Sequence, residues 1–191
     1  MSVVATNLAL GPGTLYTGVF GAVEPLDTAV ASAPDATAWP DVGGTKDGVS
    51  IAINQEFTEL DVDQIVDVVG RRMTKRDLTM QTNMAEVTIE NLVTANNGGT
   101  VTPGGTGATA FKSYVPNNDT SATQPVYKAL VMDAFGPNSK RRRLLVRRVL
   151  STSNTEFAYK KNEQTVYTTT FAAHFVSSSI TPFKIVDEVG V

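Results

Sequence analysis

Val49-Ser50-Ile51-Ala52-Ile53-Asn54-Gln55-Glu56-Phe57-Thr58-Glu59-Leu60 decides the fold class. Val49, Ile51, Ile53 and Phe57 recur on one side of a two-residue alternation. Ser50, Asn54, Glu56 and Thr58 occupy the other side. Successive side chains of a strand point to opposite faces, so this spacing predicts a β-strand with one buried face and one wet face. Downstream, Asp61 to Val69 reads as continued extended chain with a break at Gly70, and residues 71–81 as another strand. Upstream, residues 14–20 read as a short strand. Residues 21–48, with Pro25, Pro34 and Pro40, read as a long loop that Trp39 packs onto the sheet.

The pattern changes once. Asn83 to Asn96 predicts a helix, with Asn83 as N-cap, Glu86 three residues on, and Ala85, Ile89, Leu92 and Val93 as an apolar stripe. Asn97-Gly98-Gly99 ends it. Residues 97–122 are Gly, Thr, Asn, Ser and Pro with few apolar groups and read as a second long loop. Strands are expected again at 124–135, 141–150, 155–159 and 165–177, with a short tail at 182–191. In the last strand Tyr167, Phe171 and Phe175 face one way, and Val166, Thr168, Thr170 and His174 the other. The expected fold is mainly β: a β-sandwich or open barrel with one flanking α-helix, as a single domain over 1–191 with extended terminal arms.

Composition narrows the chemistry. The chain has no cysteine and one histidine, His174. Disulfides and thiolate chemistry are excluded, and zinc or Ser-His-Asp catalysis is disfavoured. No apolar stretch is long enough for a membrane helix, and the N-terminus lacks the basic start of a secretory signal. Residues 1–67 hold ten acids and one base, whereas residues 68–191 hold fifteen bases and nine acids. Opposite charge on two surfaces favours head-to-tail association of identical copies.

Individual motifs carry less. Lys140-Arg141-Arg142-Arg143-Leu144-Leu145-Val146-Arg147-Arg148 is basic, but apolar residues thread through it and aromatics for base stacking are few. Pairing of Arg147 and Arg148 with acids of a neighbouring copy is the preferred functional reading. Arg71 and Arg72 read first as a solvated strand face, and Arg71, Arg72, Asp61 and Asp63 are further candidates for intersubunit charge contacts. Gly105-Thr106-Gly107-Ala108-Thr109-Ala110 superficially fits a dinucleotide fingerprint but follows no strand and opens no helix. Asp61, Asp63 and Asp67 lack the EF-hand companions, since Val66 stands where Gly is needed and Arg72 where Glu is needed. No catalytic set, cofactor or metal is expected, and the chain is not expected to be an enzyme.

Several segments, taken in order, carry a family resemblance. Leu10 to Ala22 is followed by Glu24-Pro25; Trp39 is followed by Gly43-Gly44-Thr45-Lys46-Asp47-Gly48-Val49. Asp61-Val62-Asp63-Gln64, Gly70-Arg71-Arg72, Met84-Ala85-Glu86 and Glu90-Asn91-Leu92 come next. With this order the chain resembles the major tail proteins, the tail tube proteins, of long-tailed siphovirus-type phages of actinobacteria. The resemblance covers most of residues 10–95, extends loosely over the later strands, and leaves 97–122 unplaced. It implies a β-sandwich with one helix that assembles as stacked hexameric rings into a tail tube. The implied partners are further copies of the chain, a tape-measure protein, and tail terminator or tip proteins. DNA would pass through during ejection without specific binding. The implied place is the virion, after assembly in the host cytoplasm. A conduit should not grip phosphate, so its lumen should be neutral or acidic. Ser50, Asn54, Glu56 and Thr58, with Thr168 and Thr170, are the candidate lumen-facing residues. The alternatives are another virion component, such as a tail terminator or capsid decoration protein, and a β-sandwich carbohydrate-binding or adhesion module.

Overall fold

A computed structural model describes residues 3–189. Nine strands and one short helix follow in the order β1 (Thr14–Val19), β2 (Thr45–Val62), β3 (Ile65–Met84), α1 (Ile89–Ala95), β4 (Thr100–Gly104), β5 (Phe111–Val115), β6 (Lys128–Phe135), β7 (Arg141–Ser151), β8 (Tyr167–Ala173) and β9 (Phe183–Asp187). The fold is mainly β with antiparallel pairing and one flanking helix, as the alternation in the sequence requires. The main sheet runs β1-β6-β7-β8-β3-β2, and β9 also pairs with β7. β9 takes the Arg142–Val146 part of one β7 edge, and β8 takes Val149–Ser151 further along. The sheet therefore turns at β7.

The turned sheet encloses the principal core: Leu15, Leu78, Met80, Met84, Leu130, Leu144, Val146, Val149, Tyr167 and Phe171, with Val42 and Ala95 from the flanking segments. A second cluster on the other face of β6 and β7 joins Ala129, Val131 and Leu145 to Trp39. Trp39 is 2% exposed, and its Nε1 donates to the Val23 carbonyl at 2.9 Å. Gly18 makes this packing possible, because a Cβ there would lie 2.8 Å from the indole ring. The 21–48 loop is thus anchored rather than loose.

Several boundaries differ from the sequence reading. Asn83 and Met84 close β3, so the helix begins later, with Thr88 as N-cap accepting from the Asn91 amide at 3.2 Å. Glu86 instead accepts from the Gly44 amide at 3.0 Å. Sheet pairing with β8 outweighs the weak helical preference of a short segment. The 97–122 segment holds the β4–β5 hairpin, whose connection is the glycine-rich 105–110 stretch. Tyr114 lies against Gly99 and Phe111 against Gly104, so aromatic packing on glycine orders a segment poor in aliphatics. Residues 155–159 contribute a single bridge, Glu156 to Thr168, instead of a strand. Within the 182–191 tail, Phe183–Asp187 is a strand, while Gly190 and Val191, like Met1 and Ser2, lie outside the described residues.

Candidate functional site

The most distinctive feature is an arm. β2 and β3 form one continuous hairpin that reverses at Asp63-Gln64. The expected extended run through to Gly70 is replaced by this turn, and Gly70 lies inside β3 opposite Leu60. β8 supports β3 only from Thr79 to Met84. Beyond that point, among the described residues, β2 and β3 have only each other as strand partners.

The arm is amphipathic. One face carries the register pairs Val49–Thr82, Ile51–Met80, Ile53–Leu78, Gln55–Arg76, Phe57–Met73 and Glu59–Arg71. At its root Leu78 and Met80 are buried in the core. Further out the same face has nothing to cover it, and Ile53, Phe57 and Met73 are 44%, 50% and 46% exposed. Of the face expected to be buried, Val49 packs against the core, whereas Ile51, Ile53 and Phe57 are left uncovered within one chain. Alternation correctly marks an apolar face, but it does not supply the layer that covers it.

The opposite face is polar and wider than one strand. Ser50, Asn54, Glu56 and Thr58 pair with Gln81, Asp77, Lys75 and Arg72. Gln81 and Asn83 in turn pair with Thr170 and Thr168. All six candidate lumen residues, from two distant stretches of sequence, consequently lie on one face of the β2-β3-β8 sheet. Thr168 Oγ1 donates to Asn83 Oδ1 at 2.8 Å. Lys75 sits 2.6 Å from Asp77 and 3.6 Å from Glu56, and the hydrogen bond to Asp77 is the main reason its pKa is raised. Over the stretch from Ser50 to Thr58, Glu56 and Asp77 balance Lys75 and Arg72, which makes this face neutral.

A β-bulge interrupts the arm. Glu56 pairs with Lys75 and Phe57 with Met73, so Thr74 has no register partner, and its Oγ1 donates to the Glu56 carbonyl at 3.2 Å. The extra residue keeps Phe57 and Met73 on the apolar face on both sides of the irregularity.

The basic run 140–148 is not a patch. Strand alternation sends its members in different directions, and each is engaged inside the chain. Arg142 forms a two-point pair with Asp187, at 2.5 and 2.6 Å. This pair holds the Asp187 carboxyl below its usual range. Lys140 reaches Glu188, and Arg141 lies over the Phe135 ring. Arg143 is buried: it binds Asp133 twice at 2.6 Å and donates to the Ser32 carbonyl at 2.6 Å. Arg147 pairs with Glu24 at 2.5 Å and donates to the Thr181 carbonyl at 2.8 Å. Arg148 lies 3.8 Å from the Tyr127 ring centroid and 5.4 Å from that of Phe20.

Of the two arginines expected to pair with a neighbouring copy, only Arg147 has a carboxylate partner among the described residues. That carboxylate belongs to Glu24, 123 positions away, a separation at which no local pattern predicts pairing. Arg71 likewise pairs internally with Glu59, at 2.5 Å. Among the candidate contacts, Arg72, Asp61 and Asp63 form no ion pair among the described residues and lie along or at the end of the arm. His174 packs edge-on against Tyr127, with ring centroids 5.3 Å apart. Among the described residues no group of three His, Cys, Asp or Glu is placed to hold a metal ion. No described helix is long and apolar enough to cross a membrane.

No protein-family model matches the chain, and no curated protein matches it at a significant level.

Proposed function

We propose that this protein is a structural subunit that polymerises with identical copies into a hollow tube, in the manner of a phage tail tube. The observation that carries the reading is the unsupported arm. A two-stranded hairpin is marginal in water by itself, and this one leaves its apolar side chains beyond the root largely uncovered. It also offers the outer edge of β2, eighteen residues long, without a strand partner among the described residues. Long open edges invite further pairing, and closing a sheet into a barrel removes them.

The polar face supports the conduit half of the proposal. Ser50, Asn54, Glu56, Thr58, Thr168 and Thr170 lie together and carry no net positive charge with their neighbours. Turned toward a lumen, such a wall would let nucleic acid pass without the phosphate contacts that strengthen binding. In this reading the tube forms as stacked hexameric rings around a tape-measure protein and is capped by terminator and tip proteins in the virion. Catalysis has no part in it.

Negative-stain electron microscopy of the concentrated, purified protein tests the proposal. Hollow tubes or six-fold rings are the expected result. A protein that stays monomeric at high concentration, with or without the remaining virion proteins, would overturn it.

A further inference from the structure

The end of the arm and a cavity on the body of the molecule fit one another in chemistry but cannot meet within one chain. The tip exposes Val62, Ile65, Val66, Val68 and Val69, and the Val66 side chain is fully exposed. Between residues 60 and 70 there are three acids, Asp61, Asp63 and Asp67, and no base. The cavity, about 270 Å³, is lined by Phe20, Ala22, Trp39, Leu145, Val176 and Ile180. Arg147 and Glu24, which pair with each other, also line it, so the charges of its own lining cancel. Arg148, stacked over the cavity-lining Phe20, has no carboxylate partner among the described residues.

The ladder shows why the contact is between copies. Val19, next to the cavity-lining Phe20, is in register with Lys128, Lys128 with Val149, and Val149 with Ala173. Ala172 is in register with Thr79. The cavity therefore lies level with the root of the arm. Ile65 is fourteen residues further along β3, a rise of roughly 45 Å at about 3.3 Å per residue.

We infer that the tip of one copy's β2–β3 arm seats Ile65 and Val66 in the Trp39-floored cavity of another copy, with Asp61, Asp63 and Asp67 against Arg148. Tip and cavity are different surfaces, so the contact is heterologous and repeats from copy to copy. A few aliphatic anchors in a desolvated pocket supply most of such a contact's strength, and the charges around them set its direction. Tip against tip would bring acid to acid, which disfavours the wrong pairing. The inference rests on the tube reading and specifies how one layer of subunits would hold the next.

The absence of native cysteine makes a clean test. Val66→Cys and Ala22→Cys are placed in separate chains, mixed, allowed to assemble and oxidised. Mixed dimers linked through residues 66 and 22 are expected. Dimers joined 66 to 66, or assemblies without the mixed link, would overturn the inference. Val66→Asp and Ala22→Trp should each raise the critical concentration for assembly by at least about tenfold, with the circular-dichroism spectrum of the monomer unchanged. Normal tubes at the wild-type concentration from either variant would defeat the seating while leaving the tube proposal standing. Cysteine variants that form no tube but give the 66-to-22 link would do the opposite.

Discussion

The body and the arm are built from the same alternating pattern yet obey different physics. In the body, Met80 and Phe171 face each other across β3 and β8 and are 1% and 2% exposed. In the arm, Phe57 and Met73 face each other across β2 and β3 and are half exposed. The pairs differ in whether a second layer lies over them. The body has that layer because the sheet turns at β7, and the arm extends past the point where the turn can cover it. Stability is accordingly concentrated in one region and assembly potential in the other.

The sharpest way to break the body is to remove a carboxylate. Asp133→Ala leaves Arg143 buried with no counter-charge and should cost about 3–5 kcal/mol, read by thermal or urea unfolding. A loss below about 1 kcal/mol would show that the pair is effectively solvated.

Two methionines test the contrast itself. Met80→Ala should destabilise the monomer by about 2–5 kcal/mol, as expected for a buried side chain. Met73→Ala should change monomer stability by less than about 0.5 kcal/mol and instead weaken polymerisation. Equal effects of the two on the monomer would mean that the arm's apolar face is covered within one chain.

Lys128 offers a pH-dependent test of the body. Its ammonium is largely buried, donates to Thr94 Oγ1 at 2.9 Å, and has its pKa lowered by that burial to about 8. In the unfolded chain a lysine titrates near 10.4. Between those values the unfolded state binds more protons, so stability rises with pH across this window. The gain should approach, at most, about 1.4 kcal/mol per pH unit between pH 8 and 9.5. Lys128→Met should abolish that slope; an identical slope in the variant would assign it to other groups.

Even the largest excision should have only a small effect on the body. Joining Ile53 to Leu78 through a two-residue Asn-Gly turn removes the free part of the arm. The midpoint of thermal unfolding should move by only about 2–4 °C, and assembly should be lost completely. A truncated protein that unfolds would show the arm to be structural for the monomer.

Some of this was legible in the residues. The Val49–Leu60 alternation, the Trp39 anchor and the paired Tyr167 and Phe171 positions each depend on local period or on one bulky side chain. Residue type alone places the helix start too early, because Asn83 is as good a cap by type as Thr88, and only pairing with Thr168 commits it to β3. The β4–β5 hairpin is not legible in the residues because its order comes from Tyr114 and Phe111 lying on glycines, a contact with no periodic signature. The candidate polar face was half legible: each strand showed its wet side, but nothing in the order of residues brings Thr168 and Thr170 beside Ser50.

By itself, the sequence determined the strand-rich class, the amphipathic character of residues 49–60 and the absence of cysteine chemistry. These follow from residue type and a period of two, which are local properties. Only the tertiary structure decided which apolar face is covered, which arginines of the 140–148 run are spent inside the chain, and how far the hairpin runs unsupported. Those outcomes depend on partners that are distant in sequence, Asp133 for Arg143, Glu24 for Arg147 and β8 for the root of β3, and the fold chooses them.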